Sequence, residues 1–178
     1  AADMLSQAEH GMDSQSILFT DNEDVARAVL AEVEKQLEAL PRKEMASSSL
    51  GHSRIVVLHD MEEAFEICNQ YAPEHLILAM DTALDWADRV VNAGSVFLGH
   101  YSCESAGDYA SGTNHTLPTS GYAKAYSGVN LDSFCRKITF QHLTREGIES
   151  IGRAVEVMAE AESLDAHRNA MTLRMKNR

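Results

Sequence analysis

Arg54-Ile55-Val56-Val57-Leu58-His59-Asp60-Met61-Glu62-Glu63-Ala64-Phe65-Glu66-Ile67-Cys68-Asn69-Gln70-Tyr71 decides the fold class. Its β-branched opening reads as a strand, and Asp60, three before Glu63, has the spacing of a helix start. Met61, Ala64, Phe65, Cys68 and Tyr71 then recur at helical spacing, so a strand passes directly into a helix. The pattern repeats outward. Upstream, Ser16-Ile17-Leu18-Phe19-Thr20 is a short apolar run; Thr20 and Glu23 have capping-box spacing, and Val25, Val29, Val33 and Leu37 step by four until Pro41. Downstream, Leu76 to Met80 reads as a strand, Ala83 to Val91 as a helix and Ser95 to Leu98 as another strand. Strands alternating with helices imply crossover units and a mainly parallel sheet.

The two ends differ in texture. Met4, Leu5 and Ala8 form the apolar side of a short helical turn that places Gln7 and His10 on a shared face, and Gly11 ends it. From Gly121 onward an irregular segment is expected, with one more strand between Phe134 and Phe140. Thr144 opens a helical pattern through Ile148, Ile151, Val155 and Met158, and Leu164, Met171 and Met175 carry another. The expected class is therefore α/β: an incomplete Rossmann-like, mainly parallel sheet with flanking helices over 1–127, then a helical tail over 128–178. Glu162 and His167 are five apart, turned about 140° from each other on one ideal helix. Either the helix breaks near Ser163 or the two serve different sites.

With 178 residues, 44% of them hydrophobic, the chain has enough apolar surface for one sizeable core. A net charge of −12 argues against nucleic-acid and anionic-membrane surfaces, which need clustered Lys and Arg. Cys68, Cys103 and Cys135 are widely spaced and form no Cys-x-x-Cys pair, so a disulfide framework or thiolate zinc site is not indicated and a reducing cytoplasm is the expected setting. Cys68 falls in an apolar helical stripe and reads as a small buried hydrophobe. The sequence shows no long apolar run or signal pattern. Its opening Ala1-Ala2-Asp3, without Met, fits a fragment.

Between Gly107 and Pro118 almost no side chain has packing value, yet Asp108 and His115 stand there among Gly, Ser, Thr and Asn. Such a composition is also how ordinary loops are written. Asp108 and His115 follow the Ser95–Leu98 strand, and ligands of parallel sheets gather beyond strand carboxyl ends. A second pair, Glu74 and His75, follows Pro73, which holds Ala72 extended and fixes the entry into the next strand. A carboxylate beside an imidazole can activate water or take an alcohol proton, although a solvated strand-edge pair reads the same way.

Asn92-Ala93-Gly94-Ser95-Val96-Phe97-Leu98-Gly99 with Glu104-Ser105-Ala106-Gly107-Asp108-Tyr109-Ala110-Ser111-Gly112-Thr113-Asn114-His115 resembles histidinol dehydrogenase. Leu5-Ser6-Gln7-Ala8-Glu9-His10-Gly11, Ala72-Pro73-Glu74-His75-Leu76 and Ala161-Glu162-Ser163-Leu164-Asp165-Ala166-His167 extend the likeness in that family's order. It covers the C-terminal part of the family's sequence, without the portion that carries its nucleotide-binding domain. The resemblance implies zinc held by Gln7, His10, Asp108 and His167, with His167 reaching across a homodimer. It implies Glu74 and His75 as proton acceptors and Gln7, His10, His75, Asp108, His115, Glu162 and His167 as contacts to L-histidinol. The implied reaction is the oxidation of histidinol through an enzyme-held aldehyde to histidine, with two NAD reduced. No Gly-x-Gly-x-x-Gly follows a strand here, so no nucleotide-binding residue is assigned.

An N/O donor set of an amide oxygen, two imidazoles and a carboxylate suits zinc, but each member taken alone has an ordinary explanation. The alternative class is a non-catalytic, zinc-binding dimerisation module. A zinc hydrolase is disfavoured, because no His-Glu-x-x-His helix occurs. His52, His59, His100 and His142 fit no functional motif, and Tyr101 and Tyr109 either line the pocket or pack.

Overall fold

The computed structural model describes residues 1–176, which separate into two compact units, 1–134 and 135–176. In the first, α1 (Ala2–Ala8), β1 (Ile17–Thr20), α2 (Glu23–Leu37), α3 (Lys43–Leu50), β2 (Arg54–Val57) and α4 (Met61–Tyr71) are followed by β3 (His75–Leu78), α5 (Ala83–Trp86), β4 (Ser95–Leu98) and α6 (Glu104–Tyr109). Every strand pairing is parallel, as the alternating sequence pattern requires. The strands come as two pairs, β1 with β2 in the register Leu18↔Ile55 and β3 with β4 in the register His75↔Ser95.

Local chemistry explains most of these bounds. Asp60 caps α4 by accepting from the Glu63 backbone N–H at 2.9 Å, as its spacing predicts. The cap of α2 is Asn22, whose Oδ1 accepts from the amides of Asp24 and Val25 at 2.8 and 3.2 Å. The expected capping box between Thr20 and Glu23 is thus corrected: the Thr20 hydroxyl turns back to accept from the Asn22 amide at 3.2 Å. Ala72 ends α4 in the left-handed region, φ 55°, and its amide donates to the Cys68 carbonyl at 2.8 Å. The expected helix from Ala83 to Val91 is shorter: α5 tightens into a 3-10 turn over Ala87–Arg89. Phe65, Leu78 and Ala83 form the core beneath it, with Phe65 stacked on Trp86 at 5.0 Å.

Two expectations fail. The polar stretch after Ser102 is not wholly a loop, because Glu104–Tyr109 is helical. Gly107 is what seats that helix: a Cβ there would lie 2.5 Å from Phe97 Cε1 and 2.7 Å from Thr113 Oγ1. Nor does a strand form between Phe134 and Phe140. Leu131–Phe134 is a 3-10 turn, residues 135–144 are irregular, and Ile138 and Phe140 are 67% and 91% exposed, with no strand partner among the described residues.

The second unit is a helical hairpin of α7 (Arg145–Ala161) and α8 (Asp165–Lys176). Thr144 caps α7 by accepting from the Gly147 amide at 3.1 Å. Gly152 lets the helices approach closely, since any Cβ there would overlap Met175. The Thr172 hydroxyl donates to Glu156, and Arg168 pairs with Glu160 at 3.5 Å. The break proposed near Ser163 is present: Ser163 adopts φ 59° between the two helices.

Candidate active site

Three elements of the first unit bring chemistry together. Gln7 and His10 lie in and just past α1, His75 opens β3, and Glu104 and Asp108 stand four apart on α6, hence on one face. Leu5 and Ala8 bury the inner side of α1, which packs against α6. One ring nitrogen of His10, one carboxylate oxygen of Glu104 and one of Asp108 lie within 4.8 Å of one another. His75 stands between the carboxylates, its Nδ1 3.8 Å from Glu104 Oε1 and its Nε2 3.8 Å from Asp108 Oδ1.

The position corrects one expectation. Asp108 does not sit beyond the carboxyl ends of the strands; α6 folds back so that Asp108 meets His75, the first residue of β3. The close seating of Gly107 on Phe97 makes that return possible, and Phe97 also packs beside the His75 ring at 6.0 Å.

Glu104 is the residue that sequence reasoning passed over. Only 3% exposed, it has a buried Oε1 with no hydrogen-bond partner. Gln7 Oε1 and His75 Nε2 are buried and unpartnered too. Buried polar atoms are normally satisfied, so three such atoms on adjoining elements mark a place shaped for something that binds. The Glu104–Asp108 spacing would have revealed the face had 104–109 been read as a helix.

The donors suit a borderline divalent ion. The His10, Glu104 and Asp108 donor atoms lie within 4.8 Å of one another, where tetrahedral zinc with bonds of about 2.1 Å has donors about 3.4 Å apart. His115 is exposed beyond α6, and Glu162 and His167 are exposed on the second unit, at the end of α7 and in α8. Tyr101 and Tyr109 are exposed and line nothing buried. Of the histidines without a motif, His100 pairs with Asp81 at 3.2 Å and His59 with Asp60 at 3.2 Å.

Electrostatics sets the protonation states. Burial foremost, then the charges of Asp108, Glu74 and Asp3, pushes the Glu104 carboxyl up from 4.5 to about 7. His75 moves down from 6.5: burial dominates, His10 adds to it, and Glu74 and Asp108 oppose it. Its imidazole is therefore uncharged at neutral pH and free to accept a proton.

A stability effect follows for the metal-free chain. The folded state holds the Glu104 proton more tightly than the unfolded state, so this group's contribution is complete below pH 4.5 and is lost as pH rises through about 7. At about 1.4 kcal/mol per pKa unit, the loss is about 2 kcal/mol after allowance for solvent screening. His75 acts oppositely, its contribution being complete above pH 6.5 and lost as pH falls through its lower folded value. Urea unfolding of the chain and of E104Q at several pH values should show the variant gaining relative to its parent between pH 4.5 and 7, then levelling. A constant difference across that range would mean that Glu104 stays hydrated.

The family model for histidinol dehydrogenase matches residues 1–175. The histidinol dehydrogenase of Bacteroides thetaiotaomicron is 60% identical over 175 residues, which make up 98% of this chain and 41% of that protein. The chloroplastic histidinol dehydrogenase of Oryza sativa subsp. japonica is 57% identical over 178 residues, covering 99% of this chain and 38% of its own length. A crystal structure of histidinol dehydrogenase from Elizabethkingia anophelis superposes with a TM-score of 0.91 at 58% identity, covering 98% of this chain and 40% of that one. The chain thus spans about two fifths of the length of these relatives. With its sequence matched from residue 1 to residue 175 and its fold superposing on a solved member, the chain belongs to the histidinol dehydrogenase family.

Proposed function

We propose that this chain supplies the zinc-binding and proton-transfer part of an NAD-dependent histidinol dehydrogenase, an oxidoreductase of histidine biosynthesis. The observation that supports the reading most is the convergence of His10 and Asp108, from opposite ends of the first unit, beside the uncharged His75. When bound, zinc would hold the substrate's imidazole and amine, and NAD would take a hydride at each of two oxidations. Gln7, His10 and Asp108 would face the metal, and His167 would reach it from a second copy of the chain, with 128–178 as the dimerisation segment.

Nε2 of His75 lacks a hydrogen-bond partner and lies on the Asp108 side, so it is the atom that takes the alcohol proton. Nδ1 keeps its hydrogen toward Glu104. Glu74, half-buried at the entry to β3, takes a proton from the water that adds to the aldehyde. Glu162 and His115 would contact histidinol. Among the described residues no helix is long and apolar enough to cross a membrane; a cytoplasmic setting is part of the proposal.

The test is a chimera that joins the upstream part of the Bacteroides thetaiotaomicron relative to this sequence. Followed by NADH absorbance with histidinol, it should turn over, while the 178 residues alone should give no measurable rate. A folded chimera that binds zinc and histidinol without turnover would instead establish the non-catalytic, zinc-binding dimerisation module. Turnover by the chain alone would show that it needs no separate nucleotide domain.

A further inference from the structure

We propose that Asn69 and Asn92 are positioning residues: together they lock the last turn of α4 to the segment that enters β4, and so fix where Glu74 and His75 stand. The inference rests on the proton-transfer reading above and deepens it by naming what holds the two bases in place.

The last carbonyls of an α-helix lack intrahelical partners. For Asn69 the amide four residues on would be that of Pro73, which has no N–H. Asn92 supplies the donor instead, its Nδ2 reaching the Asn69 carbonyl at 3.0 Å. The Asn69 side chain answers in the other direction: Oδ1 accepts from the amides of Val91 and Asn92 at 2.7 and 3.2 Å, and Nδ2 donates to the Arg89 carbonyl at 2.9 Å. Four hydrogen bonds thus join residue 69 to 89–92. The Arg89–Glu62 ion pair at 2.8 Å ties the same segment to α4, but both side chains are more than half exposed, so it adds little. From this clamp the chain runs through Ala72 and Pro73 to Glu74 and His75 on one side, and through Ala93 and Gly94 to Ser95 on the other. The two runs meet where Gly94 N–H donates to Pro73 O and Ser95 N–H to Glu74 O, both at 2.9 Å, which sets His75 opposite Ser95. A slip of either run would carry His75 Nε2 away from Asp108.

Two measurements test the clamp. In the purified chain, N69A should speed hydrogen exchange of the Gly94 and Ser95 amides by about tenfold or more, while the Leu58 amide, bonded to the Thr20 carbonyl at 2.8 Å, stays within about threefold of the parent. Unchanged exchange at Gly94 and Ser95 would overturn the proposal. In the chimera, at temperatures where each variant is fully folded, N69A and N92A should lower kcat by about 10–10²-fold with KM for histidinol within about twofold. Both oxidation steps should slow alike, because Glu74 and His75 move together. N69D keeps the acceptor for Val91 and Asn92, should fall between N69A and the parent, and carries the test if N69A does not fold. N22A is the control: it removes the two-bond cap of α2 and should lower the urea midpoint without changing kcat. Equal loss of kcat in N22A and N69A would mean that stability alone is at work and would overturn the clamp, as would full loss in H75A with none in N69A and N92A. If H75A itself has no effect, the proton-transfer reading falls.

Discussion

Replacing His75 with Ala in the active chimera should lower kcat for histidinol oxidation by a factor of about 10²–10⁴, the range that a positioned general base contributes. Burial keeps the imidazole uncharged near neutrality, so its proton-accepting form is already dominant where the reaction runs. Losing it leaves the alcohol proton to water. The loss should fall on kcat more than on KM, because the metal donors that would orient substrate come from α1 and α6. The rate of the parent chimera should fall at acid pH as His75 becomes protonated, and that limb should vanish in H75A. Glu74→Gln offers the contrast: oxidation of supplied aldehyde should suffer more than oxidation of alcohol, since only the second step needs activated water. Equal loss in both steps would mean that Glu74 only tunes the charge around His75 and Glu104, to which it already contributes. A kcat within threefold of the parent in H75A would remove His75 from the reaction.

The strand-helix alternation was legible because each strand is a short apolar run and each long helix carries its own spacing or cap, as Asp60 and Thr144 do. What stayed hidden depends on contacts distant in sequence. α3 has no apolar periodicity to announce it; it forms where Ala46 and Ser49 are fully buried and the Ser49 hydroxyl donates to the Ser14 carbonyl at 2.9 Å. α6 looked like a loop because its inward residues are Gly107, Glu104 and Asp108, none of which is apolar. Burying a helix through a glycine and two acids defeats hydrophobic periodicity, and it is also the sign of a functional face. Motif resemblance implied Gln7, His10, Asp108 and His167 as a metal set, which spacing alone did not; of these, the donor atoms of His10 and Asp108 lie together, with Glu104. Glu104 was found by neither, since its significance lies in being enclosed and unpartnered, which only three-dimensional packing can show.

Gly94→Ala should destabilise the chain by about 3 kcal/mol, through a collision with backbone and not with a yielding side chain. A Cβ at Gly94 would stand 2.5 Å from the Glu74 carbonyl oxygen, 3.3 Å from its carbon and 3.2 Å from Leu117 Cβ. Relief requires the 94–95 segment to part from 73–74. That motion stretches the hydrogen bonds Gly94 N–H to Pro73 O and Ser95 N–H to Glu74 O, both 2.9 Å, which begin the β3–β4 pairing. Two such bonds account for about 2 kcal/mol; overpacking adds about 1 to 3, and the smaller unfolded-state entropy of Ala returns less than 1. Gly99→Ala is the control: its φ of 85° penalises Ala by about 1 to 2 kcal/mol, but nothing lies within 4 Å of the added Cβ. Urea midpoints at constant m should therefore fall further for G94A than for G99A. Because Glu74 and His75 ride on the displaced segment, zinc-loaded G94A chimera should lose kcat at temperatures where it is still fully folded, whereas G99A should not. If G94A costs under 1 kcal/mol, the entry to β3 moves freely, and the fixed placement of His75 between Glu104 and Asp108 has no basis.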